Sequence, residues 1–526
     1  AFFLVPILVL VLVSALWMLF SNAEPHKDKG LPKPSPTLMK NFSSWASVGH
    51  TECSGIARRI FGANGTVGDA AVATALCVSV ALPNRCGLGG GLFAISYDAE
   101  SGSIDVIDGR EAAPSRANNV TYANANLTAK RGLAIGVPGQ MRALNALLKV
   151  TRSRIPWSGL FDEAIKLAED GFVVSEDLAA VIHRNKDILT KEPFRCVNIY
   201  TNAEGEHLKA GDTLRQRTLA QTLRDMAKSA EQGDFFYSGE IARDMVADIR
   251  QEGVLSKFLD GERLPDNVDT IHRLVEALKF AFGRRGDLGD TPSYELKSAL
   301  QDPHLLEWIA ANITEQPVQD VHHYGEHFWS RMDKGTAQLG IMAANGDAVV
   351  MATSLNSDFG ARVLSKRTGV LFNDVLTDFD LPNAKNQYGL SSSTANQLEP
   401  NKRPLSSLAP SLVLRNKMVV VGVSASGGGY IVSSIAQVVM RLLWMRRSVK
   451  EAIDWGRVHH QLLPNVLNVE NTVSTRLVLK LRQRGHQVSV LSHWPNDVMM
   501  MARGRDDRIY VTHDYRRQTN TDLDGE

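Results

Sequence analysis

Residues 1–20 are one uncharged apolar stretch broken only by Pro6 and Ser14. As a helix rising 1.5 Å per residue it would span about 30 Å of hydrocarbon. A single-pass membrane anchor is the expected reading; the competing one, a secretory signal, has an apolar core of about 7–15 residues and a small-residue cleavage site. The Pro- and Lys-rich run at 27–36 suits an extended stalk. From 66 to 82 the chain is Ala-rich and apolar with no proline until Pro83, which predicts a buried helix. A glycine cluster follows, and then two alternating runs, 93–98 and 103–108, around a Gly/Asp/Ser turn, the pattern of a hairpin. Helical spacing dominates 157–250, with segments at 158–170, 175–189 and 218–229. The second half changes character. Strand-like runs at 337–343 and 347–355 meet at Asn345-Gly346, which predicts a type I′ turn with positive φ at both central residues. Strands at 411–415 and 418–423, a Gly-rich turn at 426–429 and a helix at 432–446 complete the pattern.

Composition narrows the function. At 526 residues the chain has room for about three domains or one large intertwined core. With 58 basic against 57 acidic side chains and a net charge of +1, it lacks the electrostatic footprint of a nucleic-acid binder. Lys27 and Lys29 after the apolar stretch favour a cytoplasmic C-terminal side. Five Asn-x-Ser/Thr acceptor sites, at Asn41, Asn64, Asn119, Asn126 and Asn312, argue the other way. Their number, with no second apolar span, predicts a type II protein of the plasma membrane whose bulk is extracellular and glycosylated. Cys53, Cys77, Cys86 and Cys196 allow two disulfides in three connectivities, against the alternative of buried free thiols. No Cys/His set has zinc spacing, so a zinc site is not expected; the reading as a whole calls for no metal and no obligatory cofactor.

Familiar catalytic signatures are missing: there is no G-x-S-x-G elbow, phosphate-binding loop, H-E-x-x-H or EF-hand, and the glycines at 87–91 do not complete G-x-G-x-x-G. Adjacent His459 and His460 point to different faces of any regular element and are expected at the surface or in caps. What remains is Gly335-Thr336, directly before the first strand of the Asn-Gly hairpin. An N-terminal threonine can attack through its hydroxyl while its own α-amine acts as base. A preceding glycine tolerates the distorted backbone that self-cleavage needs.

Seven groups of residues occur in the order seen in the γ-glutamyltransferases. They are Gly89–Gly90–Gly91–Leu92–Phe93; Arg110-Glu111 with Ala113-Pro114; Val137-Pro138-Gly139; Thr336 with Ser354 and Asn356; Gly369 to Asn373 with Asp378-Phe379; Arg403 to Ser407 with Pro410; and Gly427-Gly428. From about residue 46 to the C-terminus the chain resembles that family. The resemblance implies an α+β N-terminal nucleophile hydrolase fold, an αββα sandwich. Its segments would be an anchor at 1–20, a stalk at 21–44, a large-subunit region at 45–335 and a small-subunit region at 336–526.

It also implies self-cleavage between Gly335 and Thr336. Thr336 would then cleave the γ-glutamyl bond of glutathione and its conjugates through a glutamyl ester, passing the group to water, amino acids or dipeptides. By the same resemblance, backbone N–H groups of Gly427 and Gly428 form the oxyanion hole, and Arg110 with Ser406 and Ser407 binds the donor's α-carboxylate. Asn356 and Asp378 hold its ammonium, and Ser354 bonds the Thr336 amine or hydroxyl.

Two departures from the pattern stand out. Between 253 and 271 the chain is shorter by roughly fifty residues, far more than an ordinary loop change. Val375 replaces a Glu or Gln beside the substrate's ammonium, a loss worth about 1.5–3 kcal/mol if nothing compensates. Two other readings compete: an uncleaved, non-catalytic relative acting as a membrane-anchored binding or regulatory protein, and an acylase of the same fold acting on another amide.

Overall fold

The computed structural model describes residues 39–53, 55–115, 117, 131–189, 199–202, 204–229, 235–238, 267–290, 303–325, 328–329, 336–380, 391–512, 514–516 and 521–526. Strands of the first sheet are β2 (Trp45–His50), β3 (Gly91–Asp98), β4 (Ser103–Gly109), β5 (Ala337–Ala343), β6 (Ala348–Ser354) and β11 (Thr521–Gly525), hydrogen-bonded in the order β11-β2-β5-β6-β3-β4. A second sheet has the order β1-β10-β9-β8-β7, from β1 (Met39–Phe42), β7 (Ser411–Arg415), β8 (Met418–Ala425), β9 (Val498–Arg503) and β10 (Ile509–Thr512). Every pairing in both sheets is antiparallel.

Alternating side chains explain how the two sheets stack. Leu339 and Ile341 of β5, with Val349 and Met351 of β6, turn toward a helical layer. Met342, Ala348 and Val350 turn the other way and meet Met499 and Met501 of β9. The opposite face of the second sheet, Val421, Val423, Met500 and Ala502, packs on helices Val268–Arg285 and Tyr430–Leu443. Helix, sheet, sheet, helix is therefore the order of layers, as expected for an αββα sandwich.

Helix α1 (Val67–Ala81) lies under the first sheet with all fifteen residues buried, which is why it carries no polar face. It is capped by Thr66, whose side chain accepts from the Asp69 N–H while the Asp69 carboxylate accepts from the Thr66 N–H at 2.8 Å. Cys77 on this helix is disulfide-bonded to Cys53, with Cα atoms 5.8 Å apart. Cys86 is a free, buried thiol that burial pushes up to about 12, so the even cysteine count does not translate into two bridges through Cys86. Cys196 lies outside the described residues.

Several expectations change. Asn345-Gly346 is not a type I′ turn: among these two only Gly346 has positive φ, at 103°, and its N–H donates to Ala343 O at 3.1 Å. A type I turn followed by a left-handed glycine fits the three-residue loop 344–346, closed by the Ala343 N–H donating to Asp347 O at 2.9 Å. The turn with two positive φ values falls instead on Asn416 and Lys417, at 51° and 60°, between β7 and β8. His459 and His460 are not surface residues. Both are buried, His459 stacked on Tyr430 at 3.9 Å between ring centroids, with Nδ1 2.8 Å from Ser433 Oγ. Burial pushes both histidines down and keeps them neutral.

Of the expected glycan acceptors, Asn41 and Asn64 are exposed and Asn312 is half-buried, while Asn119 and Asn126 lie outside the described residues. Residues 1–38, Gly335 and most of the shortened stretch near 253–271 also lie outside them. No described helix is long and apolar enough to cross a membrane.

Candidate active site

Thr336 sits at the entrance to β5 and is only 1% exposed. The register pairs Ala337 with Thr353, so Thr336 comes level with Ser354 at the end of β6, and Ser354 in turn pairs with Gly91 of β3. Ser354 Oγ accepts the N–H of Asn356 at 2.8 Å, which helps hold Asn356 at a φ of 76°. That unusual backbone turns the Asn356 amide into the protein: its Nδ2 donates to Asp378 Oδ1 at 3.0 Å and to Thr377 Oγ1 at 3.2 Å. Asp378 Oδ2 accepts from the Arg110 guanidinium at 3.0 Å. Arg110, Asn356 and Asp378 are all buried, so these charge-assisted bonds are shielded from water. Beside them Glu111 is wholly buried, and burial pushes its carboxyl up to about 7 despite the opposing Arg110 charge.

Two asparagines with no role in the sequence reading hold the motifs together. Asn373 accepts the Gly136 N–H at 2.7 Å and donates to Gly89 O at 2.8 Å and Gly136 O at 3.0 Å. One side chain thereby joins the first glycine cluster, the segment before Val137 and the turn Val375–Asp378. Asn396 donates to Asp378 O at 2.8 Å and to Asp380 Oδ2 at 2.9 Å, and accepts the Leu405 N–H at 2.8 Å. This brings the buried Ser406 and Ser407 into the neighbourhood of the Arg110–Asp378 pair. A buried amide with both ends engaged is a common way to fix two loops, and its signal in sequence is weak.

The third part is the turn after β8. Gly427 and Gly428 have φ values of 100° and 59°. A Cβ on Gly427 would come within 2.7 Å of Pro495 O and 2.8 Å of Asn496 Cβ, so no other residue fits this conformation and this approach. Next to it, Ser426 Oγ donates to Asp497, whose other oxygen accepts from Gln338 Nε2 at 2.7 Å. Gln338 is two residues past Thr336, and Ser426 immediately precedes Gly427, so the threonine end of β5 and the glycine turn converge on one carboxylate. Gly335 lies outside the described residues. Val375 is fully buried at the start of the turn leading to Asp378, and its N–H donates to Asn373 Oδ1 at 3.2 Å.

A buried group of metal-ligating types occurs elsewhere: His272, Glu276 and His486 bring one ligand atom each within 4.8 Å of one another. Its atoms are engaged with protein. His272 bonds His486 at 2.8 Å and Thr314 O at 2.7 Å, and Glu276 accepts from Tyr324 at 2.5 Å and pairs with Lys279 at 2.9 Å. Burial holds His486 down at about 3 and lowers His272 as well, so the ring pair is a neutral hydrogen bond.

Comparison with known proteins agrees with the ordered motifs. The gamma-glutamyltranspeptidase family model matches residues 53–258 and 253–522, two stretches that meet where the chain runs short of the family pattern. Scoloptoxin SSD14 of Scolopendra dehaani is 31% identical over 93% of this chain and 94% of its own length. Glutathione hydrolase 3 of Arabidopsis thaliana is also 31% identical, over 84% of this chain and 78% of its own length. In fold the chain is similar to a cephalosporin acylase from Bacillus halodurans, with a TM-score of 0.78 at 20% identity, covering 96% of this chain and 99% of that one. With the family model matched along nearly the whole described core and both relatives aligned over most of their length, the chain belongs to the gamma-glutamyltranspeptidase family.

Proposed function

We propose that this protein is a γ-glutamyltransferase that acts on glutathione and related γ-glutamyl compounds, with Thr336 as nucleophile. The observation that carries the reading is the buried chain Arg110–Asp378–Asn356–Ser354, which ends level with Thr336. A fork-shaped cation for a carboxylate and an adjacent carboxylate and amide for an ammonium form a receptor for an α-amino acid. That receptor sits beside a hydroxyl nucleophile.

The precursor would cleave itself between Gly335 and Thr336, giving subunits of 335 and 191 residues. The new α-amine takes the Thr336 hydroxyl proton as Oγ attacks the donor's γ-carbonyl, and the Gly427 and Gly428 N–H groups stabilise the oxyanion. Collapse breaks the amide C–N bond. The amine's proton goes to the departing nitrogen, cysteinylglycine leaves, and a γ-glutamyl ester remains on Thr336. Water, deprotonated by the same amine, then releases glutamate; an amino acid or dipeptide amine instead yields a new γ-glutamyl amide. Arg110, Ser406 and Ser407 would bind the α-carboxylate, and Asn356 and Asp378 the ammonium.

The apolar run at 1–20 and the exposed Asn41 and Asn64 support an anchored, glycosylated, extracellular protein. N-terminal sequencing and subunit masses of the purified ectodomain, followed by turnover of a γ-glutamyl anilide, test the function. A fragment beginning at Thr336 and release of the chromogenic aniline support it. A chain that stays whole and leaves the anilide intact removes the assignment of Thr336.

A further inference from the structure

Three glycines in a row, 427–429, make a turn with little rigidity of its own, yet an oxyanion site works only if its donors are held in place before reaction. The segment Asn496-Asp497 supplies that rigidity by gripping Ser426 at all three of its polar groups. The Ser426 N–H donates to Asp497 O at 2.9 Å, its hydroxyl donates to the Asp497 carboxylate, and its carbonyl accepts from Asn496 Nδ2. Asn496 is itself fixed through Oδ1, by Ser434 Oγ at 2.6 Å and Arg457 at 3.0 Å. The second carboxylate oxygen of Asp497 reaches the other sheet and accepts from Gln338 on β5.

We propose that Asp497 is a positioning residue for acyl transfer, setting the separation between the Thr336 end of β5 and the Gly427–Gly428 turn. The role rests on the reading of Thr336 and the glycines given above. It concerns the glycine turn rather than the receptor built on Arg110 and Asp378. A carboxylate suits the task, since one group accepts from two donors on separate elements, and a shift of about 1 Å in such a site lowers rate roughly 100-fold. Burial pushes the Asp497 carboxyl up to about 6, opposed by Ser426, Gln338 and the nearby Arg85 and reinforced by Asp514. An acid whose value is raised in the folded state weakens folding above that value and ceases to do so as pH falls below its ordinary range. The ionised form therefore lowers stability at neutral pH while serving as the acceptor that the turn needs.

The test compares wild type with Asp497→Asn and Asp497→Ala, as mature enzyme, with rates counted per Thr336 amine. Expected are a fall in kcat of about 10- to 100-fold for either variant and a KM for the γ-glutamyl anilide within about twofold of wild type. The melting temperature of Asp497→Asn at pH 8 should be no lower than that of wild type. The wild-type kcat profile should carry an acid limb near pH 6 that Asp497→Asn lacks. If Asp497→Ala does not fold, the isosteric Asn variant decides the matter alone. An active wild type with Asp497→Asn unchanged in kcat, or changed in KM alone, overturns the positioning role and leaves the function standing. A wild type with neither a Thr336 amine nor turnover overturns both.

Discussion

The two sides of the site are both buried and both charged, yet they are built on opposite plans. On the donor side, Arg110 and Asn356 follow the ends of β4 and β6, Asp378 ends the turn from Val375, and the three bond to one another, with Asn373 and Asn396 stitching their segments together. On the other side, the glycine turn contributes only backbone, and its order comes from a dense ionic brace behind it. Arg457 pairs with Asp514 at 2.6 Å, and Arg516 bridges Asp514 at 3.0 Å and Glu470 at 2.7 Å. In the mechanism proposed above, recognition falls to side chains whose chemistry the substrate dictates, and charge stabilisation to main chain held from behind. Changes on the donor side should appear in KM, and changes in the brace in stability or kcat.

Thr336→Ala should have the largest effect, since it removes the attacking oxygen and acts on both sides at once. Turnover of a γ-glutamyl anilide should fall by about 10⁴-fold or more and the precursor should stay uncut, as gel mobility and mass would show. Residual turnover near the wild-type rate would mean that another group attacks, and the two-sided account would lose its centre.

Asp514→Asn separates the brace from the chemistry. Removing this buried charge leaves Arg457 and Arg516 to share Glu470, and breaking a buried pair lowers stability by about 3–5 kcal/mol. Burial pushes the Asp514 carboxyl up, but Arg457 and Arg516 together hold it below its ordinary value of 3.8. Its contribution is therefore complete above that value and is lost as pH falls through the lowered one. Denaturant midpoints for the variant and wild type should differ fully at pH 7 and converge only in strong acid. KM of the folded fraction should not move. A raised KM would show that the brace also shapes the donor pocket.

Arg110→Lys probes the donor side with the charge retained. A lysine ammonium is a point charge without the planar fork, so it cannot hold Asp378 and a carboxylate in the same geometry. Expected is a KM raised roughly 30-fold, about 2 kcal/mol, with kcat changed far less. Equal losses in KM and kcat would mean that the donor receptor also positions the scissile bond.

The same contrast explains what the sequence reveals and what it conceals. The strand-like runs at 337–343 and 347–355 and the apolar stretch at 66–82 are legible because burial on both faces leaves few residue types to choose from. Arg110, Asp378 and the glycines stand out by resemblance, since the carboxylate, ammonium and oxyanion of the proposed reaction each demand a particular partner. Asn396 and Asp497 do not, and for Asn373 the motif shows the residue without its role. Asn373 and Asp497 bond segments far apart in the chain and Asn396 ones 9 to 18 residues away, and many polar side chains could do so, so no local pattern announces these bonds. His459 and His460 mislead for a related reason: an imidazole buried neutral beside Ser433 and Gln461 has the same local sequence as one in water. The Asn345-Gly346 turn shows a finer limit, because the dipeptide fits either a two-residue turn or a type I turn with a left-handed glycine, and the strand register decides.

Val375→Glu should have the smallest effect and divides the two sides most finely. Val375 begins the turn that ends in Asp378, so a carboxylate introduced there lies on the same short element as the proposed ammonium-binding group. Restoring a charged hydrogen bond to the ammonium would be worth about 1.5–3 kcal/mol if it were free of other costs. It is not free, because Val375 is fully buried and an ionised Glu there must give up its hydration. The bound ammonium offsets part of that loss only when donor is present, so the gain belongs to the complex and the free enzyme is destabilised. The net expectation is a KM for glutathione lowered by about 5- to 10-fold, with kcat nearly unchanged and a lower melting temperature that recovers on adding donor. An unchanged or raised KM would place Val375 away from the ammonium. A changed kcat would show that the turn from Val375 to Asp378 serves the oxyanion side as well, and that the division between recognition and charge stabilisation is less sharp than the bonding implies.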